Sequence, residues 1–371
     1  MLIGVPKEIK THEYRVGLVP ASVRELTARG HRVLVQSGAG AAIGLGDDLY
    51  ADAGAEIVPG AEEVFARGEL IVKVKEPQPG ECALLHAGQV LFTYLHLAPD
   101  PEQARRLLAS GVTAIAYETV TSASGGLPLL APMSEVAGRM AIQVGAHCLE
   151  KPQGGSGLLL GGVPGVPPAE VVVLGGGVVG YNATLIATGM GASVTVVDRS
   201  HDRLGWYDTL FGNRVRTKHS TAATVEASVL AADLVVGAVL VPGAATPQLV
   251  GRDMLARMRP GSVLVDVSID QGGCFATSRP TTHAAPTFVL DGIVHYCVAN
   301  MPGAVPRTSA FALNNATLPY VSALAGKGWR QALRDDPYLR SGLNVHAGAI
   351  THAQVAQALG LPYRNPAAIL D

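Results

Sequence analysis

The apolar positions of this chain fall into short runs, and between the runs they recur with helical spacing. Leu2 to Val5 reads as a first strand. Pro20 to Arg29 carries helix spacing closed by Gly30, and His31 to Gln36 reads as a second strand. A glycine-rich stretch, 37–46, and a short helix, 48–54, follow. Three more strands are expected at 69–75, 89–95 and 112–119. A long helix is expected over about 132–151, capped by Ser134, with Ala137, Met140, Val144 and Cys148 on its apolar face. The segment 154–169 holds too much glycine and proline for regular structure and reads as a loop at a domain edge. Strands resume at 170–174 and 193–197, and again at 233–239, 262–269 and 293–298. Helices are expected at 178–188, at 309–325 and within 342–359. Alternation of this kind implies parallel sheets with helices on their faces.

One stretch carries a specific pattern. Glu170 to Leu174 is apolar after its first residue, and Gly175, Gly177 and Gly180 then fill the places of G-x-G-x-x-G. A helix pattern starts at Val178, and the next strand ends on Asp198. Strand, glycine turn, helix, strand and acid stand in the order of a dinucleotide site. The first glycine permits the tight turn, the second lets backbone approach a pyrophosphate, and the third lets helix and strand pack closely. The helix N-terminus offers N–H groups to phosphate, and the acid accepts from ribose hydroxyls. A carboxylate at that place favours NAD over NADP.

Composition adds bounds. With 371 residues there is room for two domains. Only 16% are charged and 48% are hydrophobic, which suggests extensive buried surface, subunit interfaces included. A net charge of −2 gives no reason to expect nucleic acid or an anionic membrane as partner. Cys82, Cys148, Cys274 and Cys297 stand far apart and read as reduced, packed thiols rather than a metal site or a disulfide frame. The opening MLIGVPKEIK reads as a strand and lacks a signal-peptide pattern, and the uncharged run 234–251 is broken by Pro242, Gly243 and Pro247. A cytoplasmic chain without a membrane span is expected.

In open α/β sheets ligands bind beyond the carboxyl ends of strands. Charged residues read at those places are Lys73 and Lys75, on one face of 70–75, with His96, Glu118, Asp270 and Asn300. Arg15 follows the first strand. Each also has a plain reading: a solvated lysine, a packed histidine, a capping aspartate, a glutamate paired with lysine, a surface arginine. His86, His147, His219, His283 and His295 take the packed or solvated reading outright. What raises the first group is convergence. Arginine clamps a carboxylate, lysine polarises a carbonyl or imine, and histidine and aspartate move protons. Beside a nicotinamide they form a working set for a small anionic substrate.

At these residues the chain resembles the alanine dehydrogenase family over nearly its whole length. The carriers are GVPKEIKTHEYRVGLVP (Gly4 to Pro20), VKVKEP, LFTYLHLAPD, VVVLGGGVVGYNA, VDVSIDQGGCF and HYCVANMPGAVPRTS. The resemblance implies two doubly wound α/β domains with a cleft between them, the second a Rossmann dinucleotide-binding domain. Residues 1–130 with 306–371 would form the substrate domain and 131–305 the NAD domain. It implies that Arg15 and Lys75 hold substrate and that His96 and Asp270 are the catalytic pair. It implies an NAD site lined by Ser134, Gly175, Gly177, Val178, Val179, Gly180, Asp198, Arg203, Ser220, Val239 and Leu240. Val267, Ser268, Ile269, Asp270, Arg279, Val298, Ala299, Asn300 and Met301 complete it. Ser268 stands where relatives usually have alanine and Ala276 where many have glutamate. The implied reaction interconverts L-alanine with pyruvate and ammonium, in a homohexamer; no residues are read as a metal site. The alternatives are an NAD-binding subunit of a transhydrogenase and a related dehydrogenase for a longer amino acid.

Overall fold

The computed structural model describes residues 1–239 and 246–370. The chain divides into two compact units, Met1–Met133 with Val305–Asp371, and Ser134–Ala304.

The first unit is built on β1 (Leu2–Val5), β2 (Arg32–Gln36), β3 (Glu56–Val58), β4 (Leu70–Val72), β5 (Val90–Thr93) and β6 (Thr113–Ala116). All six pair in parallel, in the order β3-β2-β1-β4-β5-β6. β4, β5 and β6 are buried along their whole length, as expected for strands with a helix layer on each face. Leu34, Phe65, Ile71, Leu91, Leu107 and Val345 pack into one of its core clusters.

The second unit holds β7 (Glu170–Leu174), β8 (Ser193–Asp198), β9 (Val215–His219), β10 (Leu234–Gly237), β11 (Val263–Asp266), β12 (Thr287–Leu290) and β13 (Ile293–Tyr296). Six again run parallel, in the order β9-β8-β7-β10-β11-β13, and β12 closes that edge antiparallel. Both units therefore repeat the doubly wound order 3-2-1-4-5-6, which reverses between the first and fourth strands. The edge strand β9 (VRTKH) carries Arg216 and Lys218, charges that discourage pairing with another sheet edge.

After the second unit the helix Pro306–Lys327 returns the chain to the first. A hairpin of β14 (Leu343–His346) and β15 (Ala349–Ile350) then extends that sheet antiparallel beyond β6.

Several expected boundaries move. The strands expected at 69–75, 89–95, 112–119 and 262–269 end at Val72, Thr93, Ala116 and Asp266. Single ladder bonds persist just past some ends, from Lys73 N–H to Phe92, Tyr94 N–H to Val74 and Val267 N–H to Gly237, before the backbone turns into 3-10 turns or loops. The long helix runs Ala131–Cys148, with a separate turn at Lys151–Gln153. Glu150 between them is extended, and Pro152 stands at the start of the second turn, where its missing N–H costs nothing. Ser134 lies inside the first turn of that helix and is not its cap.

Candidate active site

In the first unit the strand order reverses between β1 and β4, so the segments after them are where ligand groups belong. The segment after β1 carries Glu8, Glu13 and Arg15. Arg15 is 2% exposed. Its Nε donates to Glu13 Oε1 at 2.7 Å and its Nη2 to Glu13 Oε2 at 2.5 Å. The Arg15 backbone N–H also reaches Oε1, at 3.0 Å, and Nη1 lies 2.9 Å from Met133 Sδ. Burial disfavours the cation, but Glu13 outweighs it and holds the guanidinium above its ordinary pKa.

Lys73 and Lys75 do not share a strand face, because β4 stops at Val72. Lys73 is fully buried, with its Nζ 2.7 Å from Glu81 Oε1 and 3.2 Å from Glu8 Oε2. Burial opposes its charge, and the two carboxylates overcome that and raise its pKa. Two acids share one ammonium, and burial pushes Glu8 up in spite of Lys73. The same carboxylates hold backbone: Val74 N–H donates to Glu8 Oε1 and Gln78 N–H to Glu81 Oε2, each at 2.7 Å. Lys75, half-buried, sits on the segment tied at those two points, and Thr93 Oγ1 donates to its carbonyl at 3.0 Å. Burial pushes the Glu76 carboxyl up, but Lys75 and Lys10 hold it below its ordinary value.

His96 lies three residues past β5, exposed, with a left-handed backbone (φ 49°). Its ring stacks on Tyr94 at 5.8 Å between centroids. Tyr94 is buried and donates its hydroxyl to the Leu129 carbonyl at 2.5 Å. Burial pushes the Tyr94 phenol up. Arg15 draws it down and Glu118 adds to the rise, so the ring stands within electrostatic reach of both. Tyr94 and Glu118 both contact His96, and Arg15 acts on the Tyr94 phenol through its charge. Glu118 does not end β6. It lies on the turn Tyr117–Thr119 and is bonded to backbone rather than to a lysine.

In the second unit the glycine turn lies at the other reversal point, between β7 and β10. Gly175 has φ 100°, and a Cβ there would come within 2.8 Å of the Ala238 carbonyl. A Cβ at Gly180 would stand 1.9 Å from the Gly175 carbonyl, so only glycine lets helix and turn approach this closely. A Cβ at Gly177 would meet nothing within 4 Å. Gly177 caps the helix Val178–Gly189 without a side-chain hydrogen bond, and Val178 is exposed while Val179 is half-buried. Asp198, at the end of β8, accepts from Gly176 N–H at 2.6 Å and Ser200 N–H at 2.7 Å. Ser220 N–H donates to the Asp198 carbonyl at 2.9 Å. Arg203 projects from the next helix over Trp206. An open glycine cradle, a helix start and a half-buried acid fit a dinucleotide diphosphate and ribose.

The segments after β10 and β11 are joined. Ser268 Oγ donates to the Val239 carbonyl at 2.6 Å, so the hydroxyl that departs from alanine makes a specific bridge. Asp266 is fully buried and accepts from Ser268 N–H (3.0 Å), Cys274 N–H (2.9 Å) and Ser278 Oγ (2.5 Å). Burial pushes its carboxyl up against those bonds. Around this anchor Val267 is half-buried and Ile269 buried. Asp270 does not end β11 but sits exposed on the turn Ile269–Gln271. Asn300 has φ 61°, and its carbonyl lies 3.2 Å from His283 Nε2. Beside it Val298 and Met301 are buried and Ala299 half-buried. Arg279 lies over the Phe288 ring at 4.3 Å. Ser134 is half-buried in its helix. Leu240 lies outside the described residues.

Reading from sequence missed Glu13, Glu8, Glu81 and Asp266. Charged residues at long sequence separation leave no periodic signal, although Glu8 and Glu13 lie in the same opening segment as Arg15. Among the described residues no cluster of three or more His, Cys, Asp or Glu could hold a metal, and no helix is long and apolar enough to cross a membrane.

Residues 4–137 match the alanine dehydrogenase/PNT N-terminal domain and residues 141–353 the C-terminal domain. Alanine dehydrogenase of Halomonas elongata is 60% identical over 370 residues, 100% of both chains. That of Mycobacterium tuberculosis (strain H37Rv) is 54% identical over the same extent. A solved L-alanine dehydrogenase superposes with a TM-score of 0.94 at 52% identity, covering 97% of this chain and 99% of its own. A transhydrogenase from Sinorhizobium meliloti shares the fold at 22% identity, with a TM-score of 0.83, covering 95% of this chain and 100% of its own.

Proposed function

Because the chain belongs to the alanine dehydrogenase/PNT family, we propose that it is an NAD-dependent L-alanine dehydrogenase. It oxidises L-alanine with water to pyruvate and ammonium, and runs the reverse reaction. The observation that carries the reading is the buried Arg15, its guanidinium fixed by Glu13, in a unit where His96 stacks on Tyr94 beyond β5 and in a chain that also holds the glycine cradle with Asp198. NAD, when bound, accepts the substrate α-hydrogen as hydride. Gly175, Gly177, Gly180 and the start of the helix Val178–Gly189 hold its diphosphate, and Asp198 its adenosine ribose. Ser134, Val178, Val179, Arg203, Ser220, Val239, Arg279, 267–270 and 298–301 would line the remainder.

Arg15 binds the substrate carboxylate. Glu13 fixes the plane of the guanidinium and neutralises its charge, so Lys75 supplies the second positive charge that an anionic substrate needs. L-alanine reacts with its amine uncharged, its ammonium proton released to solvent, so loss of hydride leaves an iminium on the substrate. A water then adds to its carbon, and His96 takes the water's proton. Collapse of the carbinolamine needs an acid at nitrogen and a base at the hydroxyl: His96 returns the proton to nitrogen and, as ammonia leaves, takes the hydroxyl proton, while Lys75 steadies the developing carbonyl oxygen. Asp270 stabilises the cationic iminium. Its turn follows directly on Ser268, whose backbone N–H is held by Asp266.

The same reading gives a homohexameric, cytoplasmic enzyme of alanine catabolism. Exposed Leu159, Val163 and Val166, on the loop before β7, support a subunit contact. The test is NADH production from NAD with L-alanine against a panel of longer and charged amino acids. L-alanine should give the highest kcat/KM, and a preference for a longer side chain would overturn the substrate assignment.

A further inference from the structure

We propose that Glu118 is the positioning residue for His96, an inference that rests on reading His96 as the proton-transferring group. His96 is a residue with a Cβ in a left-handed backbone conformation, an uncommon state that surrounding contacts must hold. The structure contains those contacts. Glu118 Oε1 accepts the His96 backbone N–H at 2.7 Å. The Leu95 N–H lies 3.2 Å from each Glu118 oxygen. On the other side of the same peptide, Gln103 Nε2 donates to the Leu95 carbonyl at 3.0 Å. The peptide joining Leu95 to His96 is therefore gripped at both its carbonyl and its N–H.

Topology explains why a glutamate can do this. β5 and β6 are parallel neighbours, with Thr93 opposite Ala116. Both chains leave the sheet at the same level, and Glu118, two residues past β6, meets the backbone three residues past β5. The carboxylate takes the place of the ladder for two N–H groups that would otherwise continue the strand. That is why the apolar run through Leu95 does not remain in the sheet, and why the imidazole is turned onto the Tyr94 ring. A carboxylate serves where a carboxamide does not. It is acceptor only, whereas a glutamine would turn an NH2 group toward one of those N–H donors. Bonds to the ionised group are also the stronger ones.

The test uses the full-length protein with NADH, pyruvate and ammonium. Glu118→Gln should lower kcat about 10- to 100-fold, the scale of a displaced reacting group. Pyruvate KM, NADH affinity and melting temperature should stay close to wild type. If Glu118→Gln is insoluble, Glu118→Asp takes its place, since it keeps the charge but withdraws the carboxylate by one methylene. Retained kcat would overturn the inference. So would a loss of kcat accompanied by equal losses in NADH affinity and melting temperature, which marks a merely structural role. His96→Ala is measured in parallel. Near-normal turnover in that variant would instead overturn the reading of His96 itself.

Discussion

Arg15 and Glu13 form a two-point pair at 2.7 and 2.5 Å with both side chains almost wholly withdrawn from solvent. Two residues apart on one loop, they make a fork that is planar and fixed before any substrate arrives. Lysine has no fork. Arg15→Lys should raise pyruvate KM at least about tenfold while leaving NADH affinity unchanged, because the bidentate geometry is lost although charge is kept. Steady-state kinetics with a separate NADH titration checks this, and an unchanged pyruvate KM would remove Arg15 from the substrate site.

Lys73 is the cation of a second buried network and touches Glu8 and Glu81. Lys73→Met leaves two carboxylates facing each other in the core. Breaking a buried pair in this way costs about 3–5 kcal/mol. A large fall in melting temperature is expected at neutral pH, and a smaller one under mild acid, where the carboxylates can protonate. Thermal melts at two pH values read both.

At the glycine turn, Asp198 is held by Gly176 and Ser200 with its carboxylate half-buried. Like charges brought together cost several kcal/mol, so wild type should strongly prefer NAD. Asp198→Gly should shift the NADP to NAD ratio of kcat/KM by about tenfold or more toward NADP. Equal wild-type rates with the two cofactors would contradict the role given to this acid.

The parallel sheets were legible because β-strand and helix periods alternate cleanly, and the glycine turn because three glycines stand between two apolar strands and an acid, while the doubly wound order came with the family resemblance. Other features were not. β3 has only three residues, β9 is a charged edge strand, and the hairpin 343–350 lies inside a tail that reads as helical. In the site, the reach of each strand was overstated. Hydrophobic pattern reports burial, and Tyr94, Leu95 and Leu97 are buried without lying in β5. The backbone leaves the ladder because Glu118 takes the N–H groups, a contact between residues 22 apart that no local pattern encodes. Lys73 and Lys75 look alike in sequence, but the strand ends between Val72 and Lys73. One is a core cation, and the other stands on the segment that this cation's partners hold.

His295 was read as a packed histidine, and it is buried, bonded to Thr277 and stacked on Phe288. Burial lowers its pKa. The unfolded chain therefore binds more protons in the window below about 6.5, and stability is lost as pH falls through the folded value. His346 and His352 shift in the same direction through burial. Melting temperature should drop between pH 8 and pH 5.5, and His295→Gln should reduce that drop. An equal drop in the variant would place the acid sensitivity elsewhere.

The most direct measurement follows the hydrogen itself. L-alanine carrying deuterium at its α-carbon is incubated in ordinary water with the purified protein and NAD, and the product is examined by NMR. One deuterium should appear at the nicotinamide C4 for each ammonium and each pyruvate released. A C4 carrying two protons and no deuterium, or the absence of any NADH although NAD binds, would contradict direct hydride transfer from L-alanine.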